Sequence, residues 1–230
     1  EALGDLRLPS KIVRLVEGPD GTPTWSMVQR FYNTTYGKLT KTIDPLGRET
    51  VFEYNDSNNV LGAVVGLDLT AIKVKRGGGY DVLATYSDFV GHQPRQVTDA
   101  AGQTTNFTYN AVGQVTSITN AKNETTTFTY FTADAIPKRR KGQLSSVDGP
   151  LAGAADTVNF DYDSAGNVAS VTGPDGYTLA FSYDNIDRLT RVTFPDATYT
   201  ETTYLHLNPQ TTRDRLGRLT SYVYNHLRQL

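Results

Sequence analysis

Two pairs of aspartates, Asp161 with Asp163 and Asp184 with Asp187, are the part of the sequence that comes nearest to catalytic chemistry. A glycosidase needs two carboxyl groups on either side of a sugar, one acting as acid and the other as base or nucleophile. Both pairs stand beside a tyrosine, in stretches that favour turns, where a short carboxylate accepts hydrogen bonds from nearby backbone. We therefore predict that these aspartates shape turns and that none is catalytic.

Other reactive residue types give no catalytic pattern either. The three histidines, His92, His206 and His226, are far apart in sequence and none has an acidic or histidine partner at metal-ligand spacing. The chain has no cysteine, which excludes a disulfide, a thiolate zinc site and a thiol nucleophile. No Gly-x-Ser-x-Gly motif signals a serine hydrolase. The sequence thus predicts a protein that is not an enzyme, with no catalytic residues, no metal and no cofactor.

Composition limits the classes of partner. The 230 residues carry a net charge of −2, so nothing favours binding to nucleic acid. No stretch reaches the roughly 18 apolar residues that a membrane helix needs, and no membrane insertion is expected. With 38% hydrophobic and 20% charged residues, the composition is that of a folded chain rather than a disordered one.

An internal repeat is the strongest signal in the sequence. Tyrosines that end a short alternating run recur about every 21 residues, with two longer intervals of 32 residues. Because a hairpin of this size cannot bury a face alone, neighbouring repeats must stack side by side. The tyrosines are Tyr32, Tyr54, Tyr86, Tyr109, Tyr130, Tyr162, Tyr183, Tyr204 and Tyr224.

Each repeat contains two turn signals. In the first turn, Asp or Asn follows the tyrosine, as Asp163 and Asp184 do. A residue that tolerates positive φ stands four places after the tyrosine, as Gly113 and Gly166 do. The second turn, in the middle of the repeat, begins with Asp, Asn or Gly and ends at its fourth residue with Gly, or with Asn in its place. Its glycines are Gly21, Gly47, Gly102, Gly176 and Gly217.

One second turn departs from this pattern. Ala197 stands where glycine is expected in Phe194-Pro195-Asp196-Ala197, so we expect that hairpin to be looser or differently wound.

The segments between turns are typical of half-buried strands. Phe107 and Tyr109 alternate with Asn and Thr, which is a period of two. On the returning strands the apolar residues are three apart, as Val115 and Ile118 are, and a bulge or strong twist would bring both to one face.

These motifs resemble the YD repeats, also called RHS repeats, of bacterial Rhs proteins, of the C components of insecticidal toxin complexes and of teneurins. The resemblance is carried by Tyr162-Asp163-x-x-Gly166, Tyr183-Asp184, Asp214-Arg215-Leu216-Gly217-Arg218 and Tyr224-Asn225, and it extends from about residue 8 to the end. It implies an all-β fold of tandem antiparallel hairpins that form a long, curved or spiralling ribbon, a section of a hollow shell. In toxin members such a shell encloses a C-terminal toxin polypeptide.

Two segments leave the repeat. Residues 62–83 predict an enlarged hairpin with a flexible glycine tip, and residues 131–141 predict a solvated basic loop. The weak candidates for contact with an anion or a sulfated glycan are Lys138, Arg139, Arg140 and Lys141. We expect residues 1–230 to be one repeat region cut from a longer protein.

Two functions remain open at this stage. The leading hypothesis is a structural shell segment that encloses or displays a C-terminal toxin or effector portion of a large secreted or cell-surface bacterial protein. The alternative is a carbohydrate-binding or adhesion module, suggested by the density of Tyr and Thr. Both the location of the protein and the presence of a cargo are inferred from the family resemblance alone. We also expect the fragment to associate with itself through open ribbon edges.

Overall fold

The computed structural model describes residues 10–17, 22–132 and 141–225. Every regular element in these ranges is a β-strand, as the sequence predicts, and none is a helix that could cross a membrane. The chain divides into an N-terminal unit, Glu1–Glu124, and a C-terminal unit, Thr125–Leu230. The predicted second turn that contains Gly21 lies outside the described residues, as do Lys138, Arg139, Arg140 and His226.

The N-terminal unit is a meander in which each strand pairs antiparallel with the next in sequence. Its described strands are β1 (Lys11–Glu17), β2 (Pro23–Tyr32), β3 (Leu39–Ile43), β4 (Glu49–Tyr54), β5 (Leu69–Arg76), β6 (Gly79–Val90), β7 (Gln93–Asp99), β8 (Thr104–Tyr109) and β9 (Val115–Thr119).

The C-terminal unit has the same organisation. Its described strands are β10 (Thr125–Tyr130), β11 (Leu144–Asp148), β12 (Val158–Tyr162), β13 (Val168–Thr172), β14 (Thr178–Tyr183), β15 (Leu189–Thr193), β16 (Tyr199–Leu205), β17 (Asn208–Arg213) and β18 (Leu219–Ser221). In both units the extensive contacts between described strands join consecutive strands, so each unit is a single layer.

In the described strands a β-bulge recurs at seven of the nine repeat tyrosines. Tyr109 lies opposite Val115, whereas the residue before it, Thr108, lies opposite Ser117, which leaves Thr116 as an extra residue on the returning strand. This confirms the bulge predicted from apolar residues three apart, because the extra residue puts both on one face. The bulged residues are Thr40, Thr70, Thr116, Ser145, Ala169, Thr190 and Gln210.

The alternation of side chains gives each sheet two different faces. We call one the tyrosine face; in the repeat of β12 and β13 it carries Phe160 and Tyr162 opposite Val171 and Val168. The other, which we call the polar face, carries residues such as Asp161 opposite Ser170. Aromatic and β-branched pairs of the first kind stabilise a sheet across its strands.

Tyr86 does not occupy the position that the tyrosine spacing assigns to it. It lies opposite Val97, whereas Phe89 lies opposite Pro94, at the place where other repeats have their tyrosine. The pairing of β6 with β7 keeps one register throughout, so this repeat also lacks the bulge. The prediction for Tyr86 was wrong because two aromatic residues three apart both fit the spacing, and only the strand register separates them.

The connection from β4 to β5, residues 55–68, packs over the repeat that lacks the tyrosine. Asn55 and Asp68 are among the most buried polar residues described, and Ala63 and Phe89 are buried beside them. The Phe89 amide donates to the Leu61 carbonyl at 2.7 Å. Asn55 Nδ2 donates to the Ala63 carbonyl at 2.9 Å. This loop is therefore tied to β6 rather than loosely attached.

Extra length in the two longer repeats is shared between connections. In the first, the loop 55–68 accompanies the long hairpin of β5 and β6, whose tip pairs Arg76 with Gly79. In the second, the connection around residues 131–141 is followed by a second long one between β11 and β12, where Thr157 donates to Asp148.

Replacing Gly62 with alanine tests the packing of the loop 55–68. A Cβ at Gly62 would lie 1.8 Å from the Phe89 carbonyl oxygen, so the loop must move away from β6. Gly77 is a matched control, since it also has positive φ but has nothing within 4 Å of a Cβ. Both variants lose roughly 1 kcal/mol from backbone strain. We expect Gly62→Ala to lose about 1–3 kcal/mol more in urea unfolding; equal losses would contradict the packing.

Candidate functional site

The repeat tyrosines use their hydroxyl groups to join one repeat to the preceding one. Tyr183 donates to the carbonyl of Val168 at 3.0 Å, and Val168 is the residue opposite the preceding tyrosine, Tyr162. The same bond joins Tyr54 to Leu39 (3.1 Å), Tyr109 to Pro94 (2.8 Å), Tyr162 to Leu144 (2.9 Å) and Tyr204 to Leu189 (3.0 Å). We call these five bonds the tyrosine links.

Each link satisfies a phenol that is partly withdrawn from water. Desolvation raises the pKa of Tyr54, Tyr109, Tyr162 and Tyr183 above its ordinary value, and the charge of Asp163 adds to this for Tyr183. A neutral phenol is a hydrogen-bond donor, so the raised pKa extends the donating form of these links to higher pH. Tyr130 lies opposite Leu144, and Tyr224 follows the end of β18.

Nine of the described first and second turns close in the same way, and the turn that starts at Asn33 is one residue longer. In these nine turns the starting residue donates its amide to the carbonyl four residues later and accepts from the amide three residues later. In seven turns its side-chain Oδ1 also accepts from the amides two and four residues later, at 2.8–3.1 Å. These starting residues are Asp44, Asp99, Asn110, Asn120, Asp163, Asp184 and Asp214.

In five of these turns the starting side chain also forms a hydrogen bond shorter than 3.0 Å with the side chain four residues later. Three aspartates accept from an arginine, and two asparagines donate to a glutamine or a glutamate. The pairs are Asp44–Arg48 (2.5 Å), Asp184–Arg188 (2.7 Å), Asp214–Arg218 (2.5 Å), Asn110–Gln114 (2.9 Å) and Asn120–Glu124 (2.7 Å).

These bonds hold the turn carboxylates in their charged form. The Arg218 side chain, followed by its backbone amide, lowers the pKa of Asp214 below 3.8. The Arg48 amide is the largest influence on Asp44, whose pKa is lowered as well. For Asp163 partial desolvation acts the other way, but the amides of its turn outweigh it and lower the pKa.

Every predicted turn glycine that is described takes positive φ. The angles are 77° at Gly47, 78° at Gly102, 84° at Gly113, 96° at Gly166, 79° at Gly176 and 83° at Gly217. The expectation for Ala197 was wrong. It adopts a φ of 62°, and its turn has the usual bonds, from Phe194 N to the Thr198 carbonyl and from Ala197 N to the Phe194 carbonyl, both at 2.9 Å. The ladder on both sides imposes the conformation at some cost in strain.

Adjacent first turns are also joined side by side. Gln93 donates to the carbonyl of Gly113 at 2.7 Å, and Gln143 donates to that of Gly166 at 2.9 Å. Asn167 donates to Asp187 at 2.8 Å. The spacing of one sequence does not reveal these bonds, since their members belong to different repeats.

The residues considered for catalysis are dispersed. Asp163 and Asp184 close turns, while Asp187 accepts from Asn167 and Asp161 lies on the polar face. His92 Nδ1 lies 2.8 Å from an oxygen of buried Asp68. Across the described ranges, no group of three His, Cys, Asp or Glu side chains could hold a metal. Lys141 is exposed.

The polar face of the C-terminal unit carries a charged cluster that the sequence pattern does not predict. Arg191, Glu201 and Arg213 lie opposite one another on β15, β16 and β17. Arg191 donates to Glu201 from Nε at 3.1 Å and from Nη2 at 2.6 Å. The Tyr199 ring lies 4.1 Å from the guanidinium of Arg191 and 3.9 Å from that of Arg213. Such cation–π contacts need three strands in register, so no local motif predicts them.

Comparison with known proteins agrees with this repeat geometry. A family model described as RHS Repeat matches residues 91–125 and 162–199. These two segments are RHS repeats. No curated protein matches it.

Two solved structures share the fold of these RHS repeats. The structure of TcdB2-TccC3-Cdc42 is 14% identical, with a TM-score of 0.53 over 91% of this chain and 13% of that chain. The structure of TcdB2-TccC3-TEV is 12% identical, with a TM-score of 0.51 over 96% of this chain and 16% of that chain. The chain thus spans less than a fifth of either relative, and likeness at this identity concerns the fold alone.

Removing one tyrosine hydroxyl tests the links. Tyr183→Phe loses the bond to Val168 and leaves a carbonyl without its donor, so we expect a loss of about 1 kcal/mol in the free energy of unfolding. Tyr177→Phe is the control, because the Tyr177 side chain is 44% exposed and its hydroxyl forms none of these links. Equal urea midpoints for the two variants would show that the links add no stability.

The turn carboxylates predict loss of stability in acid. Because folding lowers the pKa of Asp214 below 3.8, its contribution is complete above pH 4 and disappears as the pH falls through the lower, folded value. The double variant Asp214→Asn, Arg218→Gln copies the Asn110–Gln114 turn. We expect it to match the parent chain near pH 7 and to lose less stability between pH 4 and pH 2. A parallel fall for both proteins in thermal unfolding would refute this.

Proposed function

We propose that this chain is a segment of the wall of an RHS-repeat shell that encloses a C-terminal toxin or effector portion of a large bacterial protein. Its role in this proposal is structural and not catalytic. A secreted or cell-surface location goes with the proposal and rests on the family resemblance.

The tyrosine links carry the proposal. A wall around a cargo must hold its strands together without filling the enclosed space with a second layer. Each unit here is a single layer, and its repeats are joined by buried or half-buried phenols that donate to the preceding repeat. Bulges and paired turns repeat at the same places, so the sheet can be extended by adding repeats.

The comparisons add limited support. The relative of similar fold named above is a structure of TcdB2-TccC3 together with Cdc42. In our proposal, too, a repeat chain is combined with another polypeptide portion. This is the only point for which the proposal draws on that structure.

Binding of carbohydrate has weaker support from the geometry. Sugar recognition by the repeat tyrosines would use their rings and hydroxyls, but five of these hydroxyls already donate to backbone carbonyls. The basic segment suggested for anions or glycans contributes only Lys141 to the described residues, and that residue is exposed. Enclosure therefore accounts for more of the described contacts than glycan binding does.

Limited proteolysis of the full-length parent tests enclosure. We expect the segment after the repeats to be cut much more slowly in the intact parent than when it is expressed alone. Tyr183→Phe combined with Tyr204→Phe removes two links, worth about 2 kcal/mol together. Cleavage of the enclosed segment should then accelerate by up to about thirtyfold through local opening of the wall.

Tyr177→Phe in the same parent is the control and should leave the cleavage rate unchanged. Equal cleavage of the segment in the intact parent and alone would support display in place of enclosure. A protected segment whose cleavage does not respond to loss of two links would mean that this part of the sheet is not its wall.

A further inference from the structure

Arg213 differs from the other arginines between residues 184 and 218. Four of these five arginines form ion pairs with a carboxylate: Arg188 with Asp184 (2.7 Å), Arg191 with Glu201 (2.6 Å), Arg215 with Asp196 (2.8 Å) and Arg218 with Asp214 (2.5 Å). Arg213 has no such partner within the described part of the chain. Glu201, which lies opposite it, is bonded to Arg191.

The guanidinium of Arg213 is nevertheless fixed in place. Its Nη1 donates to the carbonyl of Tyr199 at 2.8 Å and to that of Asp214 at 3.3 Å. The Tyr199 ring lies against it, 3.9 Å from the guanidinium carbon. A side chain held this way loses little further freedom when it binds a ligand.

One edge of this guanidinium remains available. Nε and Nη2 of Arg213 make no hydrogen bond to the residues that the structure describes, whereas the same two nitrogens of Arg191 bind Glu201. That edge matches the spacing of a carboxylate and forms strong, charge-assisted bonds with it. The chemistry of the open edge therefore indicates a carboxylate.

An exposed aliphatic residue lies next to Arg213. Leu219 is directly opposite it on β18 and is 70% exposed. A ligand that covers both residues needs a carboxylate beside an apolar group, as in an acidic residue followed by an aliphatic one. A sugar acid would set hydroxyls against Leu219, which offers them no hydrogen bond. These neighbours favour a polypeptide over a glycan.

We propose that Arg213 and Leu219 form a docking site for an acidic segment of another polypeptide. The carboxylate binds Nε and Nη2 of Arg213, and the adjoining aliphatic side chain covers Leu219. This site is independent of whether the repeats enclose a cargo, so the two proposals can fail separately.

Nuclear magnetic resonance of arginine side chains in the full 230-residue chain tests the site. The probe is the capped peptide acetyl-Leu-Glu-Leu-amide, and its control is the same peptide with glutamine in place of glutamate. We expect the glutamate peptide to shift the Nε–H signal of Arg213 and the methyl signals of Leu219, and the glutamine peptide to bind at least about tenfold more weakly, because it lacks the charge.

Arg213→Gln should weaken binding of the glutamate peptide to the level of the glutamine peptide. Arg215→Gln is the matched control, since Arg215 is already bonded to Asp196, and it should leave the affinity unchanged. If Arg213→Gln does not fold, the unmodified chain with the two peptides decides the question.

Two results would overturn the proposal. One is an Arg213 signal that does not move, or that moves equally with both peptides. The other is a signal that responds to an oligogalacturonate and not to the peptide, which would make the ligand a sugar acid.

Discussion

A single-layer sheet cannot rely on a deep core, and this constraint governs the rest of the structure. Of the hydrophobic residues described, only Ala63, Ala71, Phe89 and Tyr162 are buried. Stability must then come from contacts within the sheet, between strands and between repeats. The tyrosine links meet this need, because each hydroxyl donates to a backbone carbonyl of the preceding repeat.

The repeat without a tyrosine link supports this view. Phe89 occupies the link position but has no hydroxyl, and the connection 55–68 packs over it. Its backbone donates to Leu61, and the buried polar residues Asn55 and Asp68 hold the loop in shape. A local packing cluster therefore stands where the repeat has lost its hydrogen bond, and the meander continues on both sides.

Features set by neighbouring residues could be predicted from the sequence, and features set by register could not. The turn at Asp163 and Gly166 follows from local backbone preferences, and the spacing of Val115 and Ile118 indicates the bulge. The error at Tyr86 arose because register decides which aromatic residue takes the link position. At Ala197 the opposite occurred, since the surrounding strands overrode a local preference.

The two faces of the sheet have different roles, and this difference explains why the polar face can carry the cluster at Arg213. The links, and the aromatic pairs that support them, use the tyrosine face, so they do not constrain which side chains the polar face carries. Elsewhere that face carries residues such as Ser170, whereas on β15 to β17 it carries Arg191, Glu201 and Arg213. Each charged side chain there is held by a neighbour from another strand, which fixes its direction. A repeating sheet of this kind can therefore carry a local recognition site on one face while the other keeps its repeats joined.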